Sequence, residues 1–478
     1  MHGQLCKLWR TLFTRLQISN FKFLVKYIKY RMKILTMGNN SGVFSFYAFL
    51  LLVVTGGNMI RITITGVLAR EIIDSRGNPT VEAEIYLSDG SMGRAAVPSG
   101  ASTGRYEVLE LRDMNPDRYM GLGVRKAVDN INMIIRSVIT GMDIMNLKAI
   151  DDAMIAADAT KDKRNLGANA ILAVSMACAD AASKSLEIPL FRFLGGMRAC
   201  DMPVPMMNIL NGGVHAANNM DIQEFMIMPV GADCYSEGLR WGCEVYHSLS
   251  SILKSRNLSV SVGDEGGFAP DLESDEAALD LLTEAVKKAG YRPGYDFKFA
   301  IDAAAGEWKS GRTGTYRMPK SGREYTAAEL IEYWTAICDK YPMYSVEDPL
   351  DEEDWEGWHD ITQRLGDRIK IVGDDFFVTN TGRLADGIKQ GCANAILIKL
   401  NQIGTVSETL DAVKLAGDNG YKTIISHRSG ETEDTFIAHL AVAVNSGLIK
   451  TGAPARSERV AKYNELLRIE DNLSGKDK

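Results

Sequence analysis

The sequence lacks several features that mark common structural classes. Its seven cysteines, from Cys6 to Cys392, include no CxxC pair, which argues against a zinc ribbon or a disulfide framework and favours a reducing compartment. No internal repeat and no low-complexity tract is evident. Hydrophobic residues make up 46% of the 478 residues and charged residues 24%. This composition excludes a collagen-like, disordered or coiled-coil chain and predicts a globular protein of about two to four domains.

Acidic residues are absent from the first 58 positions, which hold eight lysines and arginines. That segment therefore carries +8 and, because the whole chain carries −7, residues 59–478 carry −15. Its apolar run, Val43 to Val54, has 12 residues, whereas a bilayer span needs about 20. Three interpretations stay open: an upstream extension before a body that begins at Met59, a targeting or anchoring segment, and a packed structural element.

Two domains are predicted after this segment. Alternating apolar and polar residues predict strands at 60–67 and 80–87. An alanine-rich apolar stretch predicts a buried helix at 168–184. Two prolines in residues 202–205 mark a domain junction, because proline stiffens a linker and breaks helices. We therefore expect an α+β domain over 59–195 and an α/β barrel over 202–478.

The barrel is predicted from a series of apolar runs and from the residues at their ends. These runs recur at intervals that fit βα units, and each ends in a titratable residue. The residues at the run ends are Asp302, Glu347, Asp374 with Asp375, Lys399, His427 with Arg428, and Lys450. Capping boxes, Thr326 with Glu329 and Thr405 with Glu408, predict two of the intervening helix starts. Parallel strands whose carboxyl ends carry polar groups describe a barrel with its active site at that face.

Asp302, Glu347 and Asp374 are carboxylates from three different strand ends. Converging hard oxygen ligands without Cys or His suit Mg²⁺ or Mn²⁺, and the alternative is three separate surface acids. Lys399 and Lys450, close to each other and to a divalent cation, are expected to have depressed pKa values, so either could act as a base. Arg428, with Ser429 beside it, offers a bidentate fork for an anion, so the substrate is expected to carry a phosphate or a carboxylate.

Two further acidic motifs lie nearer the start of the barrel. One is DIQEFM at 221–226, which contains Glu224, and the other is GDEGG at 263–267, which contains Glu265. An acid opposite a lysine base is the arrangement that removes a proton and expels a leaving group from opposite sides of a substrate.

Ten stretches of the chain, taken together, resemble the enolase family. They are EIIDSRGNPT (71–80), PSGASTG (98–104), NGGVH (211–215), QEFM (223–226), GDEGG (263–267), EDPLDE (347–352), GDD (373–375), IKLNQIG (398–404), SHRSGETED (426–434) and IKTGAPARSERVAKYN (449–464). The resemblance covers residues 59–472 and is to bacterial-type enolases. It reaches beyond the wider superfamily because the serine loop, the GDEGG acid and the SHRSGE segment are all present.

This resemblance implies an N-terminal α+β capping domain followed by an enolase-type (β/α)8-like barrel. It implies the reversible dehydration of 2-phosphoglycerate to phosphoenolpyruvate in glycolysis, by a lysine base and a glutamate acid with Mg²⁺. Two Mg²⁺ ions per active site are implied, the first held by Asp302, Glu347 and Asp374. The second would arrive with the substrate and take Ser102 of the PSGASTG loop as a ligand.

The catalytic roles are also implied by motif. Lys399 would take the proton from carbon 2, and Glu265 would protonate the departing hydroxyl on carbon 3 with help from Glu224. The other implied substrate contacts are Gln223, His215, His427, Arg428, Ser429 and Lys450. One departure from the family pattern is DAAAGEW at 302–308, where Ala and Gly replace side chains that usually surround the ligand Asp302.

The expected partners and location follow from the resemblance and from the charge of the chain. The resemblance implies a homodimer, or an octamer built from dimers, in the cytoplasm. The net charge of −7 gives no reason to expect nucleic-acid binding. Membrane association, secretion or a cell-surface location through residues 1–58 stays open. The alternative functions are another carboxylate lyase or isomerase of the enolase superfamily, and a surface-binding protein that keeps the fold.

Overall fold

The computed structural model of the chain describes residues 61–100 and 104–475. The basic segment 1–58 and Ser102, a predicted metal ligand, lie outside the described residues. Among the helices that are described, none has the length and apolar character needed to cross a bilayer.

The described chain opens with a three-stranded antiparallel sheet. Its strands are β1 (Ile64–Ile73), β2 (Pro79–Leu87) and β3 (Met92–Ala96), in that order. β1 begins four residues later than the predicted strand at 60–67 and continues to Ile73, because pairing with β2 extends down to the turn. In that turn the Asp74 carboxylate accepts hydrogen bonds from the amides of Arg76 and Asn78, both at 2.8 Å.

Helices of this domain follow the sheet, some of them short. They are Arg125–Asn130, Arg136–Ile139, Leu147–Asp158, Ala168–Ser185 and Leu190–Gly195, with a π-helical turn at Ile131–Ile135. The predicted buried helix at 168–184 is confirmed as Ala168–Ser185. Its alanines let β3 approach closely, since a Cβ added at Gly93 would lie 2.2 Å from the amide nitrogen of Ala181.

Eight strands then close into a barrel, which confirms the predicted fold class. They are β4 (Val204–Asn211), β5 (Glu224–Met228), β6 (Lys298–Asp302), β9 (Met343–Glu347), β10 (Lys370–Gly373), β11 (Ala395–Ile398), β12 (Lys422–Ser426) and β13 (Leu448–Lys450). A small hairpin of β7 (Thr315–Arg317) and β8 (Glu324–Thr326) lies outside it. β13 pairs with β4 and closes the ring.

One barrel strand runs against the others, which corrects the expectation of parallel strands throughout. β5 is antiparallel to both of its neighbours, β4 and β6. The connection from β4 to β5 contains one short 3₁₀ turn and no crossover helix, and a parallel pair would need such a crossover. The reversal brings the first residue of β5, Glu224, to the rim where the other strands end. There Glu224 pairs with Asp302, and Asp302 pairs with Glu347.

Helices surround the barrel and connect its strands. They are Tyr235–Ser255, Asp275–Lys288, Ala327–Lys340, Trp355–Leu365, Thr381–Gln390, Leu400–Ile403, Val406–Asp418, Phe436–Ala443 and Ser457–Ser474. The capping box predicted at Thr326 is confirmed, with both reciprocal hydrogen bonds to Glu329 present. Thr405 caps the next predicted helix by accepting a hydrogen bond from the amide of Glu408. Apolar side chains, including Met206, Met226 and Val372, fill the barrel interior beneath the polar rim.

Candidate active site

The carboxyl ends of the barrel strands surround one polar cavity. It encloses about 570 Å³, including the part open to solvent. Eleven of the thirteen residues predicted from the sequence line it: His215, Gln223, Glu224, Glu265, Asp302, Asp374, Lys399, His427, Arg428, Ser429 and Lys450. Of the other two, Glu347 accepts a hydrogen bond from the cavity residue Lys450, and Ser102 lies outside the described residues.

Lys450, the last residue of β13, joins three carboxylates of neighbouring strands. Its Nζ lies 2.8 and 2.9 Å from the two Oε atoms of Glu347. It also lies 3.2 Å from Asp302 Oδ2 and 3.1 Å from Glu224 Oε2. Burial alone would lower the pKa of Lys450, but Asp302, Glu224 and Glu347 raise it well above its usual value. Lys450 is therefore a buried ammonium that neutralises this side of the cavity.

Lys399 follows β11 and is held against a different carboxylate. Its Nζ forms an ion pair with Asp374, and its amide donates to Thr379 Oγ1 at 2.9 Å. Gln402 Nε2 donates to the other Asp374 oxygen at 2.9 Å. Although burial opposes it, Asp374 raises the pKa of Lys399. The pKa values of Lys399 and Lys450 are both raised among the protein's own groups, because each ammonium faces carboxylates more closely than it faces other cations. The depressed values expected beside a divalent cation stay a prediction.

Glu224 and Glu265 form the acidic side of the cavity with two histidines. His215 Nδ1 lies 3.7 Å from Glu224 Oε1 and 3.8 Å from Glu265 Oε1. Burial, with the charge of Glu265, raises the pKa of Glu224 well above its usual value. Burial would also raise the pKa of Glu265, but the facing imidazoles of His427 and His215 hold it well below its usual value. Two adjacent carboxyl groups with pKa values moved apart can hold one proton between them.

An anion-binding fork stands at Arg428, as the sequence predicts. Arg428 donates from both terminal nitrogens to Glu107, at 3.0 and 3.1 Å, and from NH1 to Asn401 at 2.9 Å. The Arg428 and Glu107 side chains are only 5% and 6% exposed. Burial lowers the pKa of Arg428, but Glu107 more than offsets this and raises it. Ser429 lines the cavity beside this fork.

Sequence reasoning missed several residues of the site. Glu107 holds Arg428 and lies just after the PSGASTG loop, so its position beside that motif was an available signal. Gln402 lies inside the quoted IKLNQIG stretch. Asp348 adjoins the predicted ligand Glu347 in sequence and lines the cavity together with Asp375, which was placed at a strand end but given no role. Arg459, which contacts His427, had no signal beyond its place in the ARSER motif.

The lining fits a divalent cation. It holds seven carboxyl groups and three lysine or arginine side chains. Asp348, Asp374 and Asp375 each place one carboxylate oxygen within 4.8 Å of the others. The predicted ligands Asp302 and Glu347 both accept hydrogen bonds from Lys450 Nζ instead. Burial and neighbouring acids raise the pKa of Asp348 well above its usual value and that of Asp375 to about 7. A cluster of hard oxygen donors in which two carboxyl groups have raised pKa values suits Mg²⁺ or Mn²⁺.

Backbone groups support Asp302 where the sequence departs from the family pattern. The amide of Ala304 donates to Asp302 Oδ1 at 3.0 Å. Ala304 adopts a left-handed conformation with φ of 47°. A backbone donor thus orients this carboxylate in a segment whose own side chains are mostly methyl groups.

Comparison with known families agrees with this geometry. Residues 64–194 match a family model described as the N-terminal domain of enolase. Residues 199–478 match the enolase C-terminal TIM barrel domain, and this range contains every residue that lines the cavity. Since the two models follow in chain order and together span most of the sequence, the chain belongs to the enolase family.

Proposed function

We propose that the chain is a glycolytic enolase that reversibly dehydrates 2-phosphoglycerate to phosphoenolpyruvate. The observation that supports this most directly is the placement of Lys399 and Glu224. Lys399 follows β11 and Glu224 opens β5, four strands away in a closed barrel of eight. A base and an acid on opposite walls of one cavity suit the removal of a proton and of a hydroxyl from opposite faces of a substrate.

The chain's own residues account for each proton in this reaction. Lys399, as the neutral amine, takes the proton from carbon 2, and those bonding electrons then form the carbon 2–carbon 3 double bond. The hydroxyl leaves carbon 3 and takes the proton held by the Glu224–Glu265 pair, so it departs as water. The ion pair with Asp374 keeps Lys399 protonated. It must lose that proton before it acts as a base.

The remaining cavity residues bind and neutralise the substrate. Arg428 and Ser429 supply the phosphate site, where the Glu107 carboxylate already shows that the guanidinium accepts an anion on two nitrogens. Lys450 provides a buried positive charge for the substrate carboxylate. Mg²⁺ held by Asp302, Glu347 and Asp374 would stabilise the negative charge that develops on that carboxylate when carbon 2 loses its proton.

The first experiment is to add 2-phosphoglycerate to the purified full chain with and without Mg²⁺ and follow absorbance in the enol-phosphate band. We expect a rise that requires Mg²⁺. No rise from folded, Mg²⁺-supplied protein would contradict the proposal and favour another superfamily reaction or a binding role.

The base is tested by Lys399→Ala. We expect this variant to lose exchange of the carbon 2 proton with solvent, measured in deuterium oxide by NMR, while its circular dichroism spectrum is unchanged. Lys422→Ala is the matched control, since Lys422 is exposed at the start of β12, at the other end of the barrel. Exchange that survives in Lys399→Ala would overturn the assignment of the base.

A further inference from the structure

Arg459 links two loops of the active site from outside the cavity. It lies near the start of the helix Ser457–Ser474, and none of its side chain is exposed. Its NH1 lies 2.7 Å from His427 Nδ1 and donates to the carbonyl oxygen of Arg428 at 2.5 Å. Its NH2 donates to the carbonyl oxygens of Ser429, at 2.6 Å, and Asp264, at 3.2 Å. One guanidinium therefore contacts both the 427–429 segment and the GDEGG loop.

The contact with His427 fixes the form of that imidazole. A guanidinium has only donors, so His427 Nδ1 must accept and cannot carry a hydrogen. The neutral ring then carries its hydrogen on Nε2. His427 Nε2 lies 3.4 Å from Glu265 Oε2. The nitrogen that carries the hydrogen is thus the one next to Glu265, the carboxylate that shares a proton with Glu224 in the proposed reaction.

The other groups around His427 do not compete for this arrangement. The charged groups that face it are Glu265, Arg459 and Glu431. Glu431 is already bound by Lys462, whose Nζ lies 2.7 Å from Glu431 Oε2. The amide of His427 donates to the carbonyl oxygen of Lys450. Arg459 thus holds the ring at Nδ1, and the opposite nitrogen, Nε2, lies beside Glu265.

We propose that Arg459 is a positioning residue for the acid step. It holds His427 in the Nε2-protonated neutral form and keeps the GDEGG loop in place against the 427–429 segment, so that Glu265 stays aligned with its proton-sharing partner. This inference rests on the proposed dehydration, in which the acid acts at carbon 3 and Lys399 acts at carbon 2. A histidine held in the wrong tautomer can lose most of its catalytic value with little change in structure.

The two half-reactions separate this role from a purely structural one. Proton exchange at carbon 2 requires Lys399 and does not require the acid, whereas net dehydration requires both. In Arg459→Lys the positive charge is kept, but a single ammonium replaces the planar fork that reaches four acceptors. We expect net dehydration to fall by about 10²-fold, the lower end of the range for general acid catalysis. Exchange at carbon 2 is expected to stay close to that of the wild type.

Lys462→Gln is the matched control. Lys462 is buried on the same helix and binds the far end of the same loop, at Glu431 and at the carbonyl oxygen of Thr432. It contacts neither His427 nor the GDEGG loop in the described structure. We expect this variant to lose stability and to slow exchange and dehydration by the same factor. Equal slowing of both half-reactions in Arg459→Lys would overturn the positioning role.

A second measurement does not depend on turnover. The ¹⁵N chemical shifts of the His427 ring distinguish the two neutral tautomers, and His427→Gln assigns the resonances. We expect the Nε2-protonated form in the wild type at neutral pH and a mixture of tautomers in Arg459→Lys. The same single tautomer in both proteins would contradict the inference. A wild type that neither exchanges nor dehydrates would instead contradict the proposed function.

Discussion

At the scale of single residues, a few buried cations neutralise the carboxylates of the cavity, and one cation can contact several of them. Lys450 alone contacts Glu347, Asp302 and Glu224, and its side chain is 3% exposed. A buried carboxylate that loses its partner is left with an uncompensated charge, which is far more costly than the loss of a surface ion pair. These buried cations therefore stabilise the fold around the cavity by neutralising its carboxylates.

Lys450→Met tests this stabilising role. We expect the free energy of unfolding without divalent cations to fall by about 3–5 kcal/mol, the range for breaking a buried ion pair. Urea denaturation measures the change, and Lys422→Met serves as the control at the other end of the barrel. We also expect Mg²⁺ to raise the denaturation midpoint of Lys450→Met by more than that of the wild type. In the variant, Mg²⁺ would neutralise the carboxylates that Lys450 neutralises in the wild type. An equal Mg²⁺ effect in both proteins would contradict this account.

A second residue links stability to pH. Asp275 accepts hydrogen bonds from the amides of Asp221 and Ile222, and burial raises its pKa to about 6. A raised carboxyl pKa means that the folded state holds the proton more tightly. Its contribution is therefore fully present below the unfolded pKa near 4 and is lost as pH rises through about 6, a change of about 3 kcal/mol.

Asp275→Asn should remove this pH dependence while its amide oxygen still accepts both hydrogen bonds. We expect the unfolding free energy of the wild type, relative to Asp275→Asn, to decrease between pH 4 and 7. Denaturation midpoints across that range measure the difference. A constant difference between the two proteins would show that Asp275 does not titrate in the folded state in this window.

At the scale of secondary structure elements, the strand ends were predictable because βα units repeat and each strand ends in a polar residue. Asp302, Glu347 and Lys450 could therefore be placed on one rim from the sequence alone. The reversal of β5 could not be predicted, since its only signal is a missing crossover helix. The contact of Glu107 with Arg428 joins residues 321 positions apart. No periodicity encodes such a pair.

The pairing of β3 with the helix Ala168–Ser185 gives a test at this scale. At Gly93 a methyl group would overlap the helix backbone at Ala177 and Ala181, so we expect Gly93→Ala to reduce stability by about 1–3 kcal/mol. Gly417 lies exposed in the helix Val406–Asp418 with open space around it. There the same substitution should add about 0.5–1 kcal/mol, because alanine favours helices. Thermal midpoints that move in the same direction for both variants would contradict this picture.

At the scale of the whole molecule, the N-terminal domain holds in place a barrel segment that lines the candidate site. From Thr63 onward the chain forms one compact unit. Ser99 and Gly430 exchange backbone hydrogen bonds at 2.7 and 2.9 Å, and the amide of Ser75 donates to the carbonyl oxygen of Glu431 at 2.7 Å. The segment that carries Arg428 is thus held by the N-terminal domain on one side and by Arg459 and Lys462 on the other.

The charge difference along the chain gives a further prediction. Residues 1–58 carry +8 and residues 59–478 carry −15, and each basic residue near an anionic membrane contributes about 1 kcal/mol. We expect the full chain to co-sediment with phosphatidylserine-containing vesicles at low salt and to be released at high salt. A chain that starts at Met59 should stay in the supernatant. Equal behaviour of the two chains would leave the basic segment without a role in membrane binding.

The reversed direction of β5 also matters for protein engineering. Because β5 starts at the rim, the loop after this strand emerges at the floor of the barrel, where Gly231 is hydrogen-bonded to Asp296 ahead of β6. Every other barrel strand sends its following loop to the catalytic face. A peptide tag or reporter domain inserted at 231–233, where Gly231 and Asp233 are exposed, would project away from the substrate. An attachment made at this connection should therefore immobilise the protein with the opening of the cavity facing solution.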